Sequence, residues 1–201
     1  MVNIFVSSTF KDLEAHRRAA ITALQQTNNL PLTMELFGSK AGDAQTVSLQ
    51  EVGKADLFIG IYAHRYGYRP DDDKSVTEME YLEAKTREID RLVFMVADDY
   101  HDDLIDTYAE ADEESRMLLG IFKRRLQKEN VLATFTTPDD LAHKVLIALI
   151  NWMQDNQTKY AATPPPSGGS VNANTIDRSN VFGNVSGSTL NFGSPPGQDD
   201  D

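Results

Sequence analysis

The chain has 201 residues, of which 40% are hydrophobic and 25% charged, a composition typical of a soluble globular protein with one domain and an appendage. It contains no cysteine, which excludes disulfides, thiol nucleophiles and cysteine zinc sites, and no apolar run of the roughly 20 residues that span a bilayer, so we expect a cytoplasmic protein without membrane contact. The formal net charge of −12 excludes binding to nucleic acid over a broad surface, because that affinity comes from Lys and Arg.

Five short apolar runs along the chain predict five β-strands, and helical periodicity follows each of them. The run Leu57–Tyr62 contains no charged residue and is the clearest prediction of a buried strand. Repeated strand–helix alternation predicts a parallel sheet with helices on both faces. The predicted strands are residues 2–6, 32–37, 57–62, 92–96 and 131–135.

Several predicted helices begin with recognisable capping residues. Thr9 and Ser75 are each followed three residues later by an acidic residue, which is the spacing of a capping box. Thr137 precedes a proline at the first helical position, where the missing N–H of proline costs nothing. The first predicted helix ends near residue 26, the second spans 46–54 and the third begins at 75. The fourth spans 114–127, and the fifth ends near 154.

Right-handed crossovers turn five such units into a three-layer, doubly wound α/β fold, for which the strand order 2-1-3-4-5 is favoured. In that order the winding reverses between the first and third strands. The ligand crevice of such folds lies at the carboxyl ends of those two strands. This rule selects two loops, residues 7–11 and 64–70, as the candidate binding site.

The first selected loop joins the first strand to the first helix. The hydroxyls of Ser7, Ser8 and Thr9, together with the free N–H groups of a helix start, suit a phosphate or another anion. Lys11 adds a positive charge to the same loop. The alternative is that these residues only cap the helix.

The second selected loop concentrates aromatic and basic side chains in a chain that is otherwise acidic. The rings of Tyr66 and Tyr68 and the guanidinium plane of Arg65 suit a nucleobase or a nicotinamide ring. His64 is a further candidate, although the sequence shows no partner that would orient it. The alternative is a loop that covers the sheet edge without binding a ligand.

The helix that begins at Ser75 brings carboxylates to the same rim. Its apolar stripe places Glu80 on the flank, neither fully exposed nor central to the core. A half-buried carboxylate beside a sugar can attack or stabilise an oxocarbenium-like centre during glycosidic cleavage. Glu80 is therefore the first catalytic candidate, and Glu78, which has a competing capping role, is the second. The alternative for both glutamates is that their negative charge only stabilises the N-terminal end of the helix.

Four ordered segments in the first half of the chain resemble the family known as domain of unknown function 4062. That family is grouped with TIR domains and nucleoside deoxyribosyltransferases, so the resemblance implies a flavodoxin-like, TIR-like fold. The segments are residues 6–13 (VSSTFKDL), 34–39 (MELFGS), 56–67 (DLFIGIYAHRYG) and 75–81 (SVTEMEY).

The resemblance also implies a catalytic residue. The grouped relatives cleave N-glycosidic bonds, of NAD or of deoxynucleosides, with a glutamate on the helix after the third strand. An alanine four residues after that glutamate is typical of the deoxyribosyltransferases, and Ala84 follows Glu80 at this spacing, which favours Glu80 over Glu78. Leu82 stands where the relatives have a glycine.

The composition changes near residue 160. We expect an α/β domain over residues 1–158, a Pro/Gly linker over 159–170, a low-complexity segment over 171–193 and an acidic disordered tail over 194–201. The segment 171–193 is rich in Asn, low in charge and β-prone, and it is similar to short amyloid-type signalling motifs. A disordered tail or one short hairpin is the alternative.

These observations favour a TIR-like effector of a defence or signalling system that cleaves the N-glycosidic bond of NAD, a nucleotide or a nucleoside. The alternatives are a non-catalytic self-association module and a nucleotide sensor. We expect a nucleotide-like ligand, no cofactor and no metal. We also expect residues 171–193 to form either a homo-oligomer or a contact with a signalling ATPase. The resemblance implies the ATPase, because such domains precede NACHT-type ATPases. An open crevice beside Glu80 favours the enzyme, whereas a crevice filled by Phe10 or Tyr66 favours the adaptor.

Overall fold

The computed structural model describes residues 1–27, 29–33, 43–70 and 73–157. The chain divides into two units, Met1–Ala161 and Ala162–Asp201, and all described elements lie in the first. The expected linker, low-complexity segment and acidic tail, residues 159–201, lie outside the described residues. Among the described helices, none combines the length and the hydrophobicity that crossing a bilayer requires.

Strands and helices alternate along the whole described chain, with one additional short helix between the fourth and fifth strands. The strands are β1 (Asn3–Ser8), β2 (Leu30–Leu32), β3 (Leu57–Tyr62), β4 (Asp90–Val96) and β5 (Leu132–Phe135). The helices are α1 (Glu14–Gln25), α2 (Ala44–Val52), α3 (Val76–Thr86), α4 (Asp103–Thr107), α5 (Glu113–Glu129) and α6 (Pro138–Asp155).

The five strands form one parallel sheet in the order β2-β1-β3-β4-β5. This order confirms the predicted doubly wound, flavodoxin-like fold. The winding reverses between β1 and β3, which pair so that Ser7 lies beside Gly60 and Ser8 beside Ile61. The carboxyl ends of these two strands therefore open at the edge where such folds bind ligands.

Both faces of the sheet are covered, which explains why β3 is buried along its whole length. Ile59 and Ile61 pack toward the cluster that includes side chains of α1 and α6. Phe58 and Tyr62 pack toward the cluster that includes Tyr81 of α3 and side chains of α5. Burial of each large apolar side chain stabilises the fold by about 1.5–3 kcal/mol, so these two clusters hold the layers together.

Two predicted helix starts agree with the structure. The Ser75 hydroxyl accepts a hydrogen bond from the Glu78 N–H at 3.2 Å, and the Thr137 hydroxyl accepts one from the Asp140 N–H at 3.2 Å. The acidic stretch before α5, predicted as a connection, contains the short helix α4. Asp102 caps that helix by accepting from the Leu104 and Ile105 N–H groups.

Two boundaries differ from the sequence prediction. Helix α1 begins at Glu14 with Leu13 at its N-cap position and no side-chain capping bond, so the predicted Thr9–Asp12 capping box is wrong. Residues 11–13 form a turn that delays the helix, and Asp12 is buried rather than capping in solvent. Strand β2 ends at Leu32, where the predicted strand 32–37 begins, and residues 34–42 of that prediction lie outside the described residues.

Candidate functional site

A cavity of about 550 Å³ opens at the carboxyl ends of β1 and β3, a size that suits a small-molecule ligand. Four pieces of chain form its wall. The first piece contributes Ser8 from the end of β1 and Lys11 from the β1–α1 connection, and the others contribute Gln45 from the first turn of α2, Tyr68 from the β3–α3 connection and Glu80 from α3. The winding reversal thus brings together residues that are far apart in the sequence.

The Glu80 carboxylate is fixed by two serine hydroxyls. Glu80 is only 5% exposed, although it contributes to the cavity wall. The Ser7 hydroxyl, at the end of β1, donates to Glu80 Oε2 at 2.5 Å, and the buried Ser48 hydroxyl of α2 donates to Oε1. Because each oxygen is held by a different element, the carboxylate has a defined orientation beside the cavity.

The environment of Glu80 acts on its protonation in two opposite ways. Burial raises the pKa of the Glu80 carboxyl above its ordinary value and is the dominant cause. Hydrogen bonds from Ser48 and Ser7 and the positive charge of Arg17 lower the pKa by less. A carboxyl that is both buried and hydrogen-bonded by donors is typical of functional sites, where a reactive protonation state must be controlled.

The end of β1 is held in place by Arg17, which is 4% exposed on the inner side of α1. Its Nη1 atom donates to the Val6 carbonyl at 3.1 Å and to the Ser8 hydroxyl at 2.9 Å. The Ser8 hydroxyl in turn donates to the Thr9 carbonyl at 2.9 Å. Arg17 therefore fixes the strand end that carries Ser7 and Ser8.

Positive charge collects around one aromatic ring, that of Tyr108 at the end of α4. The Lys11 Nζ atom lies 5.9 Å from the Tyr108 ring centroid, and the Arg65 Cζ atom lies 5.8 Å from it. Both cations also line the cavity. Cation–π contacts restrain two charges that would otherwise repel each other, so this end of the cavity suits an anionic group.

Two exposed aromatic side chains border the cavity. Phe10 is 56% exposed and Tyr68 is 71% exposed, and both contribute to the cavity wall. Large apolar rings that remain in water are available for contact with a flat ligand. Thr9, which also lines the cavity, lies on the same loop as Phe10.

Tyr66 does not line the cavity, although it lies two residues before Tyr68. It is 2% exposed, and its hydroxyl donates to Glu78 Oε2 at 2.6 Å. Arg125 of α5 donates to the other oxygen of Glu78, so this carboxylate connects α3, α5 and the β3–α3 connection. Burial, followed by the Glu78 carboxylate, raises the pKa of Tyr66 to about 12, so the phenol remains a donor. The structure assigns Tyr66 and Glu78 to packing rather than to the cavity.

His64 is also outside the cavity wall. Its Nδ1 atom lies 3.5 Å from the Lys123 Nζ atom, and burial together with that charge lowers the pKa of the imidazole. A neutral His64 can accept a hydrogen bond from Lys123. Of the residues expected to bind a ligand, the structure therefore separates His64 and Tyr66 from the cavity and links Ser7 to it only through the bond to Glu80. The others lie at the cavity wall: Ser8, Thr9, Lys11, Arg65 and Tyr68.

Asp12 is a further buried carboxyl next to the cavity wall. It is 1% exposed, and neither carboxylate oxygen has a hydrogen-bond partner among the described residues. Burial raises the pKa of Asp12, while the nearby Thr9 hydroxyl, which lies outside hydrogen-bond geometry, and the charge of Arg65 lower it by less. Among the described residues, no group of three potential ligands could hold a metal ion.

Sequence reasoning missed Ser48, Gln45 and Tyr108 as parts of the site, and it considered Phe10 only as a side chain that could fill the crevice. A signal for Ser48 exists, because it lies four residues before Val52 on the buried stripe of α2, where a polar residue needs an internal partner. No comparable signal marks Tyr108, since its contacts with Lys11 and Arg65 depend on the position of α4, which the sequence did not predict.

Two solved structures and one family model are similar to parts of this chain. The structure of the RPS4 and RRS1 TIR domain heterodimer is similar over 74% of this chain and 95% of that one, with 12% identity and a TM-score of 0.45. Oxidised flavodoxin 1 from Bacillus cereus is similar over 76% of this chain and 96% of that one, with 17% identity and a TM-score of 0.34. No curated protein matches the chain. Residues 3–150 match the sequence profile of the domain of unknown function DUF4062, and the chain belongs to that family.

Proposed function

We propose that this chain is a TIR-like effector domain that cleaves the N-glycosidic bond of a nucleotide such as NAD. The observation that carries the proposal is Glu80, a residue in the wall of a cavity of about 550 Å³, whose carboxylate is held by two serine hydroxyls. An open cavity of this size supports the enzyme over an adaptor whose crevice is filled. Tyr66, one of the two side chains expected to fill the crevice of an adaptor, is buried outside the cavity. Phe10, the other, lies at the cavity wall and is 56% exposed.

The chemistry follows from the charge that develops at the sugar. When the bond between ribose C1 and the base nitrogen breaks, the electron pair leaves with the base and positive charge appears on C1 and the ring oxygen. The ionised Glu80 carboxylate stabilises that charge. Water then forms the new bond to C1 and releases a proton to solvent. In NAD the nicotinamide leaves as a neutral base, so no acid is needed to protonate it.

The cations at the cavity favour a phosphate-bearing substrate over a free nucleoside. Lys11 and Arg65 line the cavity and share the ring of Tyr108. A phosphate at this end would leave the sugar nearer to Glu80 and the base within reach of Phe10 or Tyr68. We expect the Arg65→Ala variant to weaken binding of NAD and to have a smaller effect on a nucleoside.

The proposal is tested by release of base from NAD and from nucleosides, followed by chromatography, with the purified full chain alone and artificially clustered. Glu80→Gln should abolish release. Glu83→Gln is the matched control, because Glu83 lies on the same helix but forms an ion pair with Arg87 outside the cavity. Equal turnover by the wild type and Glu80→Gln would exclude Glu80, and no turnover of NAD or nucleosides by any form, alone or clustered, would reject the cleavage function.

A second candidate function is a non-catalytic module that signals by association with itself or with a signalling ATPase. Met117 and Ile121 support it, because they lie four residues apart on α5 and are 58% and 41% exposed. Binding of NAD without release of base would instead favour a nucleotide sensor. Association that persists in the Glu80→Gln variant without any nucleotide would favour the module.

A further inference from the structure

Ser48 is a buried hydroxyl on α2, whose other buried residues are Val47, Glu51 and Val52. It is 0% exposed and lies between Val47 and Val52 on the inner face of α2. Its hydroxyl donates to Glu80 Oε1, although 32 residues separate the two. A buried serine at such a position is destabilising without a partner, so the contact with Glu80 accounts for its presence.

The two serines form a pair that favours one state of the carboxylate. Ser7 donates to Oε2 and Ser48 donates to Oε1, and each hydroxyl has a single proton to give. An ionised carboxylate accepts both bonds, whereas a protonated one must donate through one oxygen and would disturb one of them. Arg17 of α1 adds a positive charge, and the buried Tyr62 hydroxyl of β3 is the other titratable group that interacts with Glu80.

We propose that Ser48 is a positioning residue, which fixes Oε1 of Glu80 so that the carboxylate keeps one orientation toward the cavity. The inference rests on the proposed function for its catalytic meaning. It also makes α2 part of the site, because the same helix contributes Gln45 to the cavity wall and Asp43 at its N-cap does the same. A displacement of α2 would therefore change the cavity wall and the carboxylate together.

The first test does not depend on activity. Carbon-detected NMR of the full chain, labelled at the glutamate carboxyl carbons, follows the titration of Glu80, with Glu80→Gln identifying its signal. Ser48→Ala should raise the pKa of Glu80, because it removes a donor to the ionised form. Val47→Ala is the matched control, since it removes packing from the same turn of α2 and leaves both serines in place. Ser48→Cys, with a weaker donor, should give an intermediate pKa and serves if the alanine variant does not fold.

The second test uses the pH profile of NAD cleavage. Ser48→Ala should lower kcat/KM at neutral pH by about tenfold to a hundredfold, as expected for a misaligned catalytic group, and should move the acid limb of the profile to higher pH. Val47→Ala should do neither. An unchanged Glu80 pKa in both Ser48 variants would overturn the inference. If the wild type cleaves nothing, the proposed function fails, and the NMR titration alone decides the positioning role.

Discussion

At the scale of single residues, the buried Glu80 carboxyl links function to stability. Its pKa in the folded protein is raised above the value of 4.5 that an exposed glutamate has. The native state therefore binds this proton more readily than the unfolded state does. As the pH rises from the unfolded pKa through the folded pKa, the contribution of Glu80 to stability falls, and above both values the ionised carboxylate destabilises the fold.

Glu80→Gln should accordingly separate stability from activity. The amide carries no charge, so the variant should have a higher thermal midpoint than the wild type at neutral pH, and the difference should shrink as the pH falls through the folded pKa of Glu80 toward the unfolded pKa. One of the two serine hydroxyls can keep donating to the amide oxygen, and the other can turn to accept from the amide NH2 group. Thermal unfolding at a series of pH values between acidic and neutral measures this. A difference that is independent of pH would mean that Glu80 does not titrate as a buried group.

Replacement of glycine by alanine should have opposite effects on stability at Gly60 and at Gly120. A Cβ at Gly60 would lie 2.5 Å from the Tyr62 hydroxyl, because the Tyr62 ring folds back over the glycine on the same face of β3. A Cβ at Gly120 on α5 would meet nothing closer than Arg124 Nη1 at 3.6 Å. We expect Gly60→Ala to cost about 1–3 kcal/mol of stability through overpacking.

Gly120→Ala should instead stabilise the protein by about 0.5–1 kcal/mol, since alanine loses less backbone entropy than glycine in a helix. Denaturant unfolding of both variants measures the free energies of unfolding. A neutral result at Gly60 would show that the Tyr62 ring can move, and the packing above β3 would then be looser than the structure describes.

At the scale of elements, local signals determined what the sequence could predict. Leu57–Tyr62 was predicted at its observed bounds because an uninterrupted apolar run has few alternatives. The start of α1 was placed too early, because the Thr9–Asp12 spacing matches a capping box while the turn that follows it leaves no local mark. The bond between Ser48 and Glu80 joins residues on different elements, so only the packing of α2 against α3 reveals it.

The β3–α3 connection, in residues 64–70, also shows what the sequence could not predict. Tyr66 and Tyr68 were expected to play the same part, but Tyr66 is 2% exposed and Tyr68 is 71% exposed. Gly67 between them has a φ of +99°, in the region that favours glycine, so the backbone between the two rings departs from ordinary strand and helix geometry. Composition alone could not distinguish the ring that packs from the ring that faces the cavity.

Substitution of the two tyrosines should therefore have complementary effects. Tyr66→Phe removes the donor to buried Glu78 and should cost about 1–3 kcal/mol of stability while leaving NAD affinity unchanged. Tyr68→Ala should leave stability nearly unchanged and weaken NAD binding. Calorimetric titration in the Glu80→Gln background, where no turnover interferes, combined with denaturant unfolding, measures both. If Tyr66→Phe weakened NAD binding and Tyr68→Ala lowered stability instead, the roles assigned to the two rings would have to be exchanged.

At the scale of the whole molecule, the charge distribution separates the site from the rest of the surface. The chain has a net charge of −12, and many basic side chains form ion pairs with acidic neighbours, such as Arg69 with Glu114 and Lys85 with Glu129. Lys11 and Arg65 instead share an aromatic ring beside the cavity. The net negative charge opposes the approach of an anionic ligand, whereas Lys11 and Arg65 attract it at the cavity, which favours local binding over affinity for polyanions.

The last prediction concerns residues 159–201 and rests on their sequence. The run of Pro and Gly residues in 164–169 is typical of a linker, and apolar residues recur every four or five positions in 171–193, at Val171, Ile176, Val181, Val185 and Leu190. Such a short segment cannot form a core within one chain. Copies from several chains could stack as β-strands, with backbone hydrogen bonds between neighbouring chains and Asn side chains aligned along the stack. Stacking would raise the local concentration of the α/β domain and could activate it.

A chain truncated at Ala162 should therefore keep the thermal midpoint of the full chain and lose self-association. Val185→Pro should block stacking in the full-length chain, because proline removes a donor from the ladder. Light scattering and thioflavin fluorescence at increasing protein concentration compare the three proteins. If the full chain and the truncated chain both stay monomeric, with and without a candidate ATPase partner, the segment does not drive assembly. Any activity of the domain would then have to be intrinsic to the monomer, since no clustering by this segment would be available to switch it on.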